Sequence, residues 1–424
     1  MHSLFSFLQE SLSQVGPPAN SKEIQTAYPH FVWWIGLFPL LIFGIIVPKI
    51  QKPYIREMLL LCIMFCITTY PLVGQVFVPQ HILGAYPTID KQGSLFFFQQ
   101  NIHIQAMLSP IESMQQKGVQ LIGFHMGHHW ITEFFCLFTP LPTAYNLHIL
   151  LNFAASTFAM WLWLWKKDTN KTQETRIWLR IGLALLFGCG VHSYVDAQWY
   201  TIEKSSLYVI PLLFYSIEYI KRPYITGIIF FVSAYINLYF AIINGIFFLI
   251  YLSFHRDVWK HGIGILVTGL IVLLYQGTLM LHAPSIATPE MYLEERARFD
   301  SLHLIDFDWA RIPLYLVINP IVLWFSIKNP NRERWEIIGF WIFLLLACGP
   351  YFYQDIINPI YLIFIKIPFM WRFSEPEIFF HLCLMIFYTW TLRSDMSKPY
   401  FVIFYLYLFF QLFSLRLPLS LFSV

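Results

Sequence analysis

Residues 146–165 read NLHILLNFAASTFAMWLWLW, a run without a single Asp, Glu, Lys or Arg, and Lys166, Lys167 and Asp168 follow at once. A helix needs about 20 predominantly apolar residues to cross a hydrocarbon core. The run has that length, and a lysine pair at its end is what the cytoplasmic edge of a span carries.

Working outward from this run, similar apolar segments occupy 31–48, 57–78, 177–194, 205–220, 224–237, 239–254, 262–281, 313–327, 336–352, 377–392 and 399–415. The chain is therefore expected to be all-α, a polytopic integral membrane protein with about twelve transmembrane helices. The stretch 224–254 is too long for one upright span. Asn237, Asn244 and Gly245 offer a break within it, and a single tilted helix is the alternative. Composition points the same way: 57% of the 424 residues are hydrophobic and 12% are charged, against roughly 25% charged in soluble domains.

The net charge is +3, and the basic residues fall in short clusters between apolar runs, which leaves no patch for nucleic acid. Their distribution gives an orientation. Lys49, Lys52, Arg56, Lys166, Lys167, Lys171, Arg176, Arg180, Lys221, Arg222, Arg256, Lys260, Lys328, Arg332, Arg334, Arg393 and Lys398 lie in or beside the short loops of one side. That side is expected to be cytoplasmic, with both termini outside. The opposite side carries the long outer loops 79–145, 282–312 and 353–376 and only 10 of the 27 basic residues. The whole chain, 1–424, reads as one transmembrane domain without linker or clear repeat, and its start lacks the pattern of a removable signal peptide. The six cysteines lie in or beside apolar segments without metal spacing and read as packing residues.

Chemistry is expected in the outer loops. Asp90 stands early in the first, ahead of an apolar, Gln-rich stretch that suits helices lying in the interface. A partly desolvated carboxylate there has the basicity to take a proton from a hydroxyl, while a capping or solvated Asp is the plain alternative. Further on, His125, His128 or His129, and Glu133 could share one helical face, which gives a loose metal-ligand set and makes a divalent cation a cofactor candidate. The second outer loop contributes His192 and Lys204, and the loop 282–312 contributes Arg296 and Arg298. Lys366 and Arg372 stand at the entrance of span 377–392, with Arg372 between Trp371 and Phe373. A guanidinium there can fork onto two phosphate oxygens, or anchor the span by snorkelling.

Three ordered stretches carry a family resemblance. Asp90 is followed by Lys117, Gly118, then Gly127 to Trp130, then Leu141 to Asn146 opening a span; Lys204 to Leu212 begins a helix ending at Lys221, Arg222 and Pro223; and Gly349 and Pro350 precede Pro368, Phe369, Trp371, Arg372, Phe373, Pro376 and Glu377. In this order they resemble the GT-C superfamily of polytopic glycosyltransferases, specifically its bacterial YfhO-like branch, over about residues 57 to 415. The chain departs from that pattern in having span 31–48 ahead of the family's first helix and Ile378 where a second basic residue is often found.

The resemblance implies a bacterial inner-membrane enzyme that transfers a sugar from a polyprenyl-phosphate donor to an acceptor outside the cytoplasm. By it, Asp90 maps to the base and Arg372 to a phosphate contact. Lys366, Arg296, Arg298, Lys204 and His192 complete the substrate- and phosphate-binding candidates. The competing readings are a transporter or flippase of a lipid-linked saccharide, and a polysaccharide ligase, polymerase or acyltransferase. Membrane lipid is a partner on every one of these readings.

Overall fold

A computed structural model describes residues 45, 47–76, 130–139, 141–168, 174–190, 206–236, 238–282, 334–347 and 377–393. Every regular element among them is helical, so the fold is all-α over the described residues. The helices are α1 (Pro53–Val76), α2 (Trp130–Cys136), α3 (Leu141–Lys167), α4 (Glu174–Cys189) and α5 (Val209–Tyr215), the last continuing as a π turn (Ser216–Ile220). They continue with α6 (Pro223–Ile236), α7 (Leu238–Phe254), α8 (Trp259–His282), α9 (Arg334–Ala347) and α10 (Glu377–Arg393). Proline opens α1 and α6, the position where its missing N–H would have had no helical partner anyway. Spans expected at 313–327 and 399–415 lie outside the described residues, as does all but the end of 31–48.

The chain divides into two compact units within α5, after Pro211. In the first unit α3 folds back on α4. Gly188 makes this possible: a Cβ there would strike the backbone and hydroxyl of Thr157 on α3. Consecutive α4 side chains from Leu179 to Cys189 are all buried, so this helix is enclosed on every face. Short helix α2 is fastened to α3 where Thr132 Oγ1 meets His148 Nδ1 at 2.9 Å.

A buried charge cluster joins the ends of three helices. Arg180 on α4 donates from Nε to Glu57 Oε1 at 2.7 Å and from its second terminal nitrogen to Glu57 Oε2 at 2.5 Å. Its remaining nitrogen donates to Asp168, which also pairs with Arg176 at 3.4 Å. Trp161 Nε1 gives Glu57 a further hydrogen bond at 2.8 Å, and the Trp165 ring lies 5.0 Å from the guanidinium. The side chains of Glu57, Arg180 and Asp168 are all 0% exposed. Arg180 is therefore a helix-to-helix tie, a role its grouping with the loop cations had not suggested.

The second unit repeats the device with other residues. Glu336, in the first turn of α9, accepts from Trp390 Nε1 at 2.9 Å and from Arg393 at 2.9 and 3.0 Å, both on α10. The stretch 224–254 is two helices. Asn244 on α7 donates to Ser233 on α6 at 3.1 Å, whereas eleven residues along one continuous helix would stand roughly 16 Å apart. Helices α6 and α8 run side by side in the same direction, because Thr226 meets His261, Gly227 meets Gly264 and Phe230 meets Gly269. A Cβ on Gly264 would come 2.5 Å from the Pro223 carbonyl. Phe247 of α7 packs against Trp335 and Phe343 of α9.

Helix α8 is apolar on its outer side. Ile263, Leu266, Val267, Leu270, Ile271 and Leu274 follow the spacing of one helical face and are 49 to 71% exposed. The face turned to α6 carries Gly264, Thr268 and Gly269. Among the described residues one helix, Thr143–Lys167, is long and apolar enough to cross a membrane by length and composition, and Val209–Ile220, Pro223–Ile236, Ile243–Phe254 and Leu382–Arg393 are shorter apolar helices.

Removing one partner of a buried ion cluster costs about 3–5 kcal/mol, since the remaining charge is stranded. Arg180→Met is expected to cost that much, because Glu57 and Asp168 are both sealed. Arg393→Met should cost clearly less, since the Arg393 side chain is 18% exposed and its loss opens a path for water to Glu336, itself 1% exposed. Thermal unfolding of the two variants in detergent measures the difference, and equal losses would contradict it.

Candidate functional site

The outer-loop candidates Asp90, His125, His128, His129, His192, Lys204, Arg296, Arg298, Lys366 and Arg372 lie outside the described residues. Glu133 lies on α2, next to the Thr132 that binds His148. Among the described residues no group of three or more His, Cys, Asp or Glu could hold a metal ion.

A polar site lies in the second unit, where the chain turns from α5 into α6 and from α7 into α8. It is a half-open cavity of about 360 Å³ lined by Glu218, Lys221, Tyr251, His255, Asp257, Lys260 and His261, with Ile217, Pro223 and Val258 as its apolar part. Two local irregularities shape it. The Lys221 N–H bonds back to Ser216 O at 2.9 Å, five residues earlier, which widens the last turn of α5. Lys221 itself has φ 56, the left-handed conformation that lets the chain reverse into Pro223. On the facing side, the 3-10 turn Arg256–Val258 separates α7 from α8. Tyr251 stacks on His255, ring centres 4.3 Å apart, and both rings meet Trp335 edge-on.

Proton counting fixes the state of His261. The Ser216 hydroxyl donates to Leu213 O at 2.6 Å. A hydroxyl has one proton, so toward Thr226 Oγ1, at 2.9 Å, Ser216 is the acceptor and Thr226 the donor. Thr226 then has only a lone pair for His261 Nδ1 at 2.7 Å. Nδ1 must carry the hydrogen, and Nε2 is left with the lone pair. His261 is 6% exposed and lines the cavity, and no hydrogen bond to its Nε2 occurs among the described residues. Burial lowers its pKa from the ordinary 6.5, with Asp257 opposing. The site therefore presents an uncharged, oriented imidazole between two lysines and two carboxylates.

No signal short of the fold could have found this arrangement. Ser216, Thr226 and His261 are 10 and 35 residues apart along the chain, on segments whose hydropathy marks only helices. No family model matches this chain, and no curated protein or solved structure matches it either.

The lowered pKa of His261 makes stability pH-dependent in a definite direction. The unfolded chain binds a proton at this residue more readily than the folded one, so stability is complete above about pH 6.5 and falls as the pH drops below it. His261→Asn, whose amide nitrogen can still donate to Thr226, should flatten the loss. Melting temperatures of both proteins from about pH 8 to about pH 5 test this, and an unchanged slope in the variant would place the titrating group elsewhere.

Proposed function

We propose that the chain is a polytopic membrane protein of the bacterial cell membrane that transfers a sugar from a polyprenyl-phosphate donor to an acceptor outside the cytoplasm. The observation that carries the membrane part is the outward face of α8. Six large aliphatic side chains on one face of a helix would cost roughly 1.5–3 kcal/mol each if left in water. Facing acyl chains they cost nothing, and the glycines on the inner face then provide close helix contact, as at interfaces between membrane helices. Helices α1 and α8, of 24 residues each, are about 36 Å long, enough for a core of about 30 Å.

Charge placement supports the same reading. In the first unit, Lys49, Lys52, Arg56, Lys166, Lys167, Arg176 and Arg180 belong to the end tied by Glu57, Arg180 and Asp168. In the second, Lys221, Arg222, Arg256, Lys260, Arg334 and Arg393 belong to the end defined by the Thr226–His261 and Glu336–Arg393 contacts. Every Lys and Arg among the described residues sits at one of these two ends, and the helix shafts beyond them are apolar. The positive-inside rule makes these ends cytoplasmic.

The enzymatic part rests on the ordered outer-loop motifs that resemble GT-C glycosyltransferases. Asp90 takes the acceptor's proton as its oxygen attacks the sugar, and Arg372, with Lys366, Arg296 and Arg298, stabilises the charge left on the departing polyprenyl phosphate. Lys204 and His192 add polar contacts for the substrate. His125, His128, His129 and Glu133 are the residues that a divalent cation would use.

In a background freed of the native cysteines, Cys at position 171 should react with a membrane-impermeant thiol reagent only from the cytoplasmic side, and Cys at position 109 only from outside. The reverse pattern overturns the orientation, and equal reactivity from one side overturns the membrane reading. For the chemistry, Asp90→Asn should slow sugar transfer roughly 100- to 10,000-fold with the protein still folded and inserted. The measurement is consumption of the lipid-linked donor by purified protein. Wild-type turnover in the variant would assign the base to another residue, and movement of intact donor without cleavage would indicate a transporter.

A further inference from the structure

We propose that the cavity between the π turn of α5 and the start of α8 binds a tetrahedral oxyanion of the phosphate-monoester class, with Lys221 and Lys260 as counter-charges and His261 Nε2 as a hydrogen-bonding contact. Two independent features of the cavity point to an anion, and its size admits a small ligand. Its 360 Å³ falls at the small end of ligand sites, about 300–1,000 Å³. Neither Lys221 nor Lys260 makes an ion pair among the described residues, although Glu218 and Asp257 line the same space. And the first residues of α8, a helix of 24 residues, form one wall, so its amide dipoles favour negative charge there. A metal cation is disfavoured by the absence of a ligand set among the described residues.

The buried imidazole decides how the site responds to pH. With His261 neutral, the two lysines and the two carboxylates cancel, and a dianion gains little net charge attraction. Protonation of His261 changes that without breaking anything. Nδ1–H continues to donate to Thr226, and the new proton arrives on Nε2, on a side chain that lines the cavity. The groups around it are Glu218 and Lys221 from the π turn, Tyr251 and His255 from α7, Asp257 from the 3-10 turn and Lys260 from α8 itself. Anion binding thus takes up a proton, and affinity rises as the pH falls. The oxyanion has two sources, a soluble phosphate compound or a phosphate-bearing lipid headgroup. The second rests on the membrane reading above, which puts this cavity at the cytoplasmic interface.

The test uses the full chain in detergent micelles and calorimetric titration with sodium sulfate, a tetrahedral dianion that, unlike a phosphate monoester, does not itself titrate near pH 6. Saturable binding is expected, tightening about tenfold between about pH 8 and about pH 6. Lys260→Gln and Lys221→Asn, the latter a residue that tolerates positive φ, should each weaken it about tenfold. Lys260 is exposed, so its variant sustains the test even if the other disturbs the turn. His261→Asn should bind sulfate at about pH 8 as the parent does and lose the tightening. Lack of saturable binding, or binding indifferent to Lys260→Gln, would overturn the site, and tightening that survives His261→Asn would overturn the role of His261. In lipid nanodiscs, weaker apparent sulfate affinity with phosphatidic acid than with phosphatidylcholine alone identifies a lipid phosphate as the ligand; equal affinity identifies a soluble one.

Discussion

A buried carboxylate held by an arginine and a tryptophan secures the basic end of each unit. Glu57 takes Arg180 and Trp161, and Glu336 takes Arg393 and Trp390. Ionised groups removed from water lose several kcal/mol of solvation each, and only good geometry with full hydrogen bonding returns it. Both clusters meet that condition: each carboxylate accepts at least three hydrogen bonds, and Asp168 with Arg176 makes the first cluster neutral overall. The indoles are suited to this place. An indole has an apolar body to fill space between helices and one N–H to spend on the carboxylate.

Beyond those ends the helices approach one another through missing side chains. Gly188 admits Thr157, and Gly227 with Gly264 brings the backbones of α6 and α8 together. Such contacts gain dispersion energy over a short distance without relying on water being expelled. On α8 the contact with α6 is made by Gly264 and Gly269, while Ile265 and Val272 are also buried.

Much of the helical scaffold was legible in the sequence. Apolar length located α1, α3, α4 and α6 to α10 within a few residues, and 224–254 is two helices as the paired spans expected, although Asn244 and Gly245, offered with Asn237 as a break, lie inside α7. The start of α3 at Leu141 was missed by five residues; Pro142 is acceptable in a first turn, where its absent N–H breaks no bond. The ion clusters were not legible. Glu57 and Arg180 are 123 residues apart, and hydropathy treats each as a polar residue at the edge of an apolar run. Arg180 was accordingly grouped with loop cations, when its neighbours in space make it fully buried. The cavity was unreadable for the same reason: its lining comes from three chain turns, each of which resembles an ordinary connection. The outer-loop candidates other than Glu133 fall on segments outside the described residues, so for them the sequence remains the basis.

The backbone around the cavity bears on whether it is more than a gap between helix ends. A lysine with φ 56 costs on the order of 1 kcal/mol, and a π turn gives up regular helical hydrogen bonding. A glycine at position 221 would relieve the first cost, and a regular α-helical turn the second. Neither irregularity is needed to connect α5 to α6, since Pro223 restarts the helix whatever precedes it. What the irregular turn does achieve is positional. It brings Glu218 and Lys221 into the lining of the cavity, and it places Ser216 where its hydroxyl can set the direction of the whole Ser216–Thr226–His261 chain. Backbone strain of this kind persists where the surroundings over-determine it and tends to collect at functional sites. Here the surroundings that hold the strain are the same groups that fix the imidazole, which ties the geometry of the turn to the chemistry of the cavity.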